Sequence, residues 1–266
     1  MASLPHAFHG QGNPLVLISG LGGKGTHWQP FLDAAARSHR VLTFDNRGAG
    51  VALPPRPGAT IRDFALDLLE LLDDLGLERA SFAGRSMGGM IAQELALLAP
   101  ERVDRLVLVS TTGRVDRHLA SLFLLWAKMA ESGVSAQIRH ESSMLWCLGR
   151  EALESDRRAQ AYLRAKARMD RPADYATQAR ACSAHDVLDR LGALAMPTLV
   201  VAGTDDRLTP LPHADALSKA IPHAELALLP GSGHLPYLEK PDEFARVVLT
   251  FLERKRSRCR PHSTPS

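Results

Sequence analysis

The sequence predicts an α/β fold, a mostly parallel, doubly wound sheet with helices on both faces and an inserted helical cap. Continuous apolar runs alternate with helix-like stretches along most of the chain. Such runs suit parallel strands buried on both faces, and their alternation with helices builds β-α-β units. The rhythm stops between residues 112 and 194, where no strand-like run occurs and Leu, Ala, Arg and Trp dominate.

The runs can be taken in order. "PLVLIS" ends at Ser19, "RVLTFD" at Asp45, "ASFAG" at Gly84, "RLVLVS" at Ser110, "TLVVAG" at Gly203, and a shorter "AELALLP" at Pro230. Between the second and third lies "TIRDFALDLLELLDDLG", with apolar residues recurring at three and four. Thr60 can cap its start and Gly76 can end it. "MGGMIAQELALLAP" follows the third run and stops before Pro100. The core is therefore expected over residues 1–111 and 195–254, the cap over 112–194, and a disordered basic tail over 255–266.

Bulk composition bounds the class. A chain of 266 residues, 45% hydrophobic and 23% charged, is large enough for one sizeable core plus an insertion. The formal charge of +3 becomes −2 once the five cations crowding the end (Arg254, Lys255, Arg256, Arg258 and Arg260) are set aside. No basic face, and so no nucleic-acid partner, is implied for the body. The three cysteines are far apart, without a C-x-x-C pair, which suits a reducing compartment and neither a disulfide framework nor a zinc site. The first residues, "MASLPHAFHGQGNP", contain no Lys or Arg and no long apolar segment, unlike a signal peptide. No stretch reaches the ~18 apolar residues of a membrane span. A cytoplasmic location, no membrane partner, no cofactor and no metal are the expectations.

After the first run, Gly20, Gly22 and Gly25 spell G-x-G-x-x-G, and Asp45 follows Gly25 by 20 residues. That is the order of a dinucleotide-binding turn with its ribose-binding carboxylate. The same loop could instead offer a backbone N–H to a developing oxyanion. The third run decides between them. Gly84, Ser86 and Gly88 spell G-x-S-x-G between a strand and a helix, the setting in which a strained turn exposes a serine hydroxyl. A serine needs a base, and the base an orienting partner. "AGTDDRLTP" supplies Asp205 and Asp206 after the fifth run, and "LPGSGHLPYLEKPDEF" supplies His234 in a glycine loop after the last. Nucleophile, acid, base is the required order. A dinucleotide site would leave these residues unexplained.

Through "SGLGG", "FDNRGAG", "GRSMGG", "GTDDRLTP" and "GSGHLPYLEKPDEF" the chain resembles the α/β-hydrolases, in particular the small bacterial serine esterases and 3-oxoadipate enol-lactonases. The resemblance implies Ser86, Asp206 and His234 as catalytic residues, because Gly203, Asp206 and Pro210 fit the family's G-x-x-D-x-x-x-P pattern. Pro210 is also well placed as the first helical residue after a Thr209 cap. Asp205 stays open as the alternative acid. Leu21 and Met87 would give the two oxyanion N–H groups, and Asp45 with Arg47 would be structural. Three departures stand out. Ser19 replaces the usual histidine before the first glycine, Arg85 stands where histidine is common, and only eighteen residues precede Ser19. The family's first strand is therefore expected to be missing or very short.

A serine at position 86 argues against the dehalogenases and epoxide hydrolases of this fold, which use a carboxylate there. A carboxylesterase acting on a small-molecule ester is expected, with a lactonase of the enol-lactonase type as the alternative. A non-catalytic ligand-binding protein is the reading from another class. Trp28, Arg85, Trp126, Met144 and Trp146 are candidate pocket residues, although the cap aromatics and methionines could equally pack cap helices together. Arg85, Arg114 and Arg139 are candidates to receive an anionic group.

Overall fold

The computed structural model describes residues 4–166 and 171–254; the basic tail foreseen for 255–266 lies outside them. In chain order the elements are β1 (His6–His9), β2 (Asn13–Ile18), α1 (Phe31–Ala35), β3 (His39–Phe44), α2 (Ile61–Asp74), β4 (Ala80–Arg85), α3 (Met87–Leu98) and β5 (Val103–Val109). They continue with α4 (Arg117–Glu131), α5 (Ala136–Cys147), α6 (Arg150–Leu153), α7 (Asp156–Lys166) and α8 (Pro172–Ser183). The last are β6 (Thr198–Gly203), α9 (Leu211–Ala220), β7 (Glu225–Leu229), α10 (Pro236–Glu239) and α11 (Pro241–Glu253).

Seven strands form one sheet in the order β1-β3-β2-β4-β5-β6-β7. The six apolar runs are its six parallel strands, as expected. The seventh, β1, pairs antiparallel with β3 at the edge and is four residues long, where a first strand missing or very short was expected. β4, in the middle, buries all six residues, whereas the edge strand β7 leaves Leu226 and Leu228 exposed. The difference explains why "AELALLP" reads as the weakest run: an edge strand needs only one apolar face. The described residues of 112–194 hold α4 to α8 and no strand; α4 packs along α8. No described helix is long and apolar enough to cross a membrane.

Local chemistry sets the boundaries that matter for the site. Thr60 caps α2, as expected, and does so in a reciprocal pair. Its hydroxyl accepts from Asp63 N–H while the Asp63 carboxylate accepts from Thr60 N–H at 2.8 Å. Ile61, Phe64, Ala65, Leu68, Leu71 and Leu72 form the buried face, and Gly76 follows the helix at φ +63°. The hydrogen bonds from Thr60 hold the Asp63 carboxyl below the usual carboxylate range. That cap contribution is therefore present above the ordinary carboxylate pKa and fades as pH falls through the depressed one. Thr60→Ala should cost about 1 kcal/mol at pH 7, measured as a lower urea midpoint at unchanged slope, and the loss should shrink in acid.

Candidate active site

Ser86 alone turns the chain from strand to helix, because β4 ends at Arg85 and α3 begins at Met87. Its backbone takes φ 55° and ψ −121°. A residue with a Cβ stays there only when its surroundings hold it, at a cost on the order of 1–3 kcal/mol. Here its N–H donates to the Val109 carbonyl at 2.9 Å, and its carbonyl accepts from Gly89 N–H at 2.8 Å and the Thr111 hydroxyl at 2.8 Å. The glycines of the motif answer to sterics: a Cβ on Gly84 would strike the Gly88 carbonyl, and one on Gly88 the Ile18 carbonyl. Met87, as the first residue of a 12-residue helix, presents an N–H with no partner inside the helix.

The strands beyond β5 bring Asp206 and His234 to the same carboxyl-terminal edge of the sheet. Asp206 Oδ2 lies 2.9 Å from His234 Nδ1, with both side chains buried. The other Asp206 oxygen accepts from Leu208 N–H and Thr209 N–H, each at 2.9 Å, and the Thr209 hydroxyl donates to Oδ2 at 2.8 Å. Four donors thus fix one carboxylate. Asp205 points elsewhere, accepting from the Arg150 N–H. One detail of the sequence reading is corrected: Thr209 does not cap α9, and Pro210 is not its first helical residue. Pro210 occupies the cap position and the Thr209 hydroxyl serves Asp206 instead. His234 Nε2 is buried without a hydrogen-bond partner, so no bond from the Ser86 hydroxyl reaches it in this structure.

Two residues that the sequence did not single out hold this frame. Buried Glu239 accepts from Gly149 N–H and Gly233 N–H at 3.0 Å, and from Leu235 N–H at 3.3 Å. Burial raises its carboxyl above the usual range, against the lowering effect of these three N–H groups. Gln178, on α8, accepts from Gly22 N–H at 2.8 Å and donates to the Arg47 carbonyl at 2.6 Å. Neither carries a local sequence signal, because their partners are backbone groups, which no residue type marks.

The glycine loop after β2 passes against Ser86. Gly20 has no room for a side chain: a Cβ there would lie 3.1 Å from Ser86 Cβ and 3.1 Å from Arg85 Nη1. Leu21 follows in the same loop. The Ser19 hydroxyl donates to the Lys24 carbonyl at 2.7 Å, and Asp45 accepts from Gly25 N–H at 2.9 Å. The carboxylate at ribose-binding distance is therefore occupied by the loop itself, and Arg47 pairs with Asp67 at 2.7 Å.

The expected pocket residues divide. Trp28 is buried among Phe31, Tyr237 and Phe244, with its ring 5.2 Å from that of Tyr237, so the structure places it in an aromatic core. Trp126 packs edge-on to Phe123 and is buried, while Met144 and Trp146 are partly buried against the core. Arg85 borders a cavity of about 900 Å³, also lined by Cys147, Tyr162, Leu235, Tyr237 and Glu239. Among the described residues no group of three or more His, Cys, Asp or Glu side chains could hold a metal ion.

Comparison with known proteins agrees with this architecture. The sequence pattern of the alpha/beta hydrolase fold matches residues 13–241. A protein of Pseudomonas savastanoi pv. phaseolicola, assigned by name as the carbamate hydrolase RutD, is 34% identical over 246 residues, covering 92% of this chain and 95% of its own. The crystal structure of a hydrolase from Pseudomonas aeruginosa superposes with a TM-score of 0.86 at 30% identity, covering 94% of each chain. That of the enol-lactonase from Burkholderia xenovorans LB400 reaches 0.88 at 26% identity, over 94% of this chain and 96% of that one. Sheet order, strand-to-helix serine and matched residues lead to one conclusion: the chain belongs to the alpha/beta hydrolase family.

Proposed function

We infer that the protein is a serine hydrolase that cleaves carboxylic esters of small molecules through an acyl-enzyme. The observation that carries the reading is the buried Asp206–His234 contact of 2.9 Å, which leaves Nε2 as the one unpartnered nitrogen of a base on the same sheet edge as Ser86. With Asp206 accepting at Nδ1, the neutral ring carries its proton there and presents a lone pair at Nε2. Nε2 takes the proton from the Ser86 hydroxyl as Oγ attacks the carbonyl carbon. The oxyanion is received by the N–H groups of Leu21 and Met87, each such donor being worth about 3 kcal/mol. His234 then protonates the leaving alcohol, and water, deprotonated by the same nitrogen, releases the acid. The chain's own residues supply nucleophile, base and charge stabilisation.

The RutD-named relatives favour a second substrate, a carbamate, whose carbonyl would be attacked by the same groups. A lactone, suggested by the enol-lactonase neighbour, differs only in keeping its alcohol tethered. Turnover of matched p-nitrophenyl esters, carbamates and lactones ranks the three.

A fluorophosphonate probe should label the wild type at Ser86 and leave Ser86→Ala unlabelled; a folded wild type that stays unlabelled would make the protein a ligand-binding member of the fold. Ser86→Ala and His234→Ala should each lose up to about 10⁶-fold in kcat while staying folded, and more than a tenth of activity remaining in either would overturn the assignment. Asp206→Asn should slow the enzyme about 10⁴-fold, because the ring loses its anion and takes the wrong tautomer, whereas Asp205→Asn should stay within about tenfold. Steady-state kinetics on the two variants separates these outcomes.

A further inference from the structure

We propose that Arg85 is the anchor for a carboxylate carried on the acyl part of the substrate, a specificity that rests on the hydrolase reading above. Of the three arginines that could receive an anion, Arg114 is paired with Asp186 at 2.8 Å and Asp189 at 2.6 Å. Arg139 donates to the Val134 carbonyl at 3.0 Å, within the insertion. Arg85 differs from both. It is 7% exposed, borders the cavity of about 900 Å³, and among the described residues meets no carboxylate within ion-pair distance and no hydrogen-bond acceptor. The Tyr237 ring lies 5.6 Å from the guanidinium carbon.

A guanidinium buried to this degree without an anion is costly, and a carboxylate matched to its fork of donors is what offsets that cost. Two of the three acids around the cavity are already engaged. Glu239 is tied to three backbone N–H groups, and Glu151 pairs with Lys240 at 2.9 Å and Arg158 at 3.2 Å. Glu154 and Arg157 stand exposed on the same cavity. The buried positive charge is therefore left for a ligand.

The position relative to the nucleophile sets the ligand's length. Arg85 Nη1 and Ser86 Cβ both lie 3.1 Å from the point where a Gly20 side chain would begin, so no more than about 6 Å separates them. With carbon–carbon bonds of about 1.5 Å, an ester carbonyl on Ser86 and a carboxylate on Arg85 are bridged by at most about three methylenes. The half-esters of succinic and glutaric acid have that span. The cavity also reaches Leu235 and Cys147, the residue after His234 and the residue whose carbonyl accepts from His234 N–H at 2.9 Å.

The test compares mono-p-nitrophenyl glutarate with its methyl ester, which has the same length without the charge. The wild type should prefer the free acid, and Arg85→Gln should lower the ratio of the two kcat/KM values by about 10- to 100-fold, the range spanned by losing a hydrogen bond to a charged group. Arg85→Lys, keeping the charge without the fork, should fall between. A ratio unchanged in Arg85→Gln, or a wild type that favours the methyl ester, overturns the proposal. Glutarate binding measured by calorimetry on Ser86→Ala, with and without Arg85→Gln, needs no turnover. Binding to the first and not the second supports the anchor even if ester hydrolysis proves wrong, and equal binding to both overturns it.

Discussion

The reversal at Ser86 is the constraint to which the rest of the structure answers. A chain that leaves a buried strand and enters a helix with one residue between them has to pass backbone against backbone. Gly84 and Gly88 carry no side chains because the Gly88 and Ile18 carbonyls occupy the space. The strained dihedrals of Ser86 are then held from outside, by β5 through the Val109 carbonyl and by Thr111 just beyond it. Those neighbours are the middle of the sheet, where burial is complete and movement costs most. The most distorted residue is fastened to the stiffest part of the molecule.

Around that point the buried charges fall into two kinds. Asp206 and Glu239 are anions surrounded by donors, most of them backbone N–H groups, and each holds a loop in place. Their cost of burial is met within the fold, and they double as braces. Arg85 is a cation for which the fold provides only an aromatic ring. Beside two carboxylates satisfied so fully, this cation marks a place where chemistry from outside is expected to complete the structure.

What the sequence disclosed and what it hid follow from the range of the interactions. Parallel strands announce themselves as continuous apolar runs, and α2 by its period and cap, because these patterns are local. The serine turn, Asp206 and His234 could be picked out because each sits a few residues past a strand end. Glu239 and Gln178 stayed hidden. Their partners are backbone groups from 4 to 156 residues away, and no residue type along the chain marks which backbone N–H a buried side chain will bind. Thr209 was read as a helix cap, since a hydroxyl before Pro210 looks the same whether it serves a helix or a carboxylate. β1 has four residues and an open edge, too little pattern to read beyond its brevity.

The stitching between the insertion and the loop of His234 has a mechanical side. Gly149 N–H shares the Glu239 carboxylate with Gly233 and Leu235, and the Cys147 carbonyl takes the N–H of His234 itself. The end of α5 and the turn into α6 are therefore fused to the loop that carries the imidazole. An insertion that lifted as a rigid body would pull His234 away from Asp206 and expose a buried carboxylate in the same movement. That turn behaves as the frame of a door and cannot be the door: whatever moves aside for a molecule to enter must swing from some other part of the insertion.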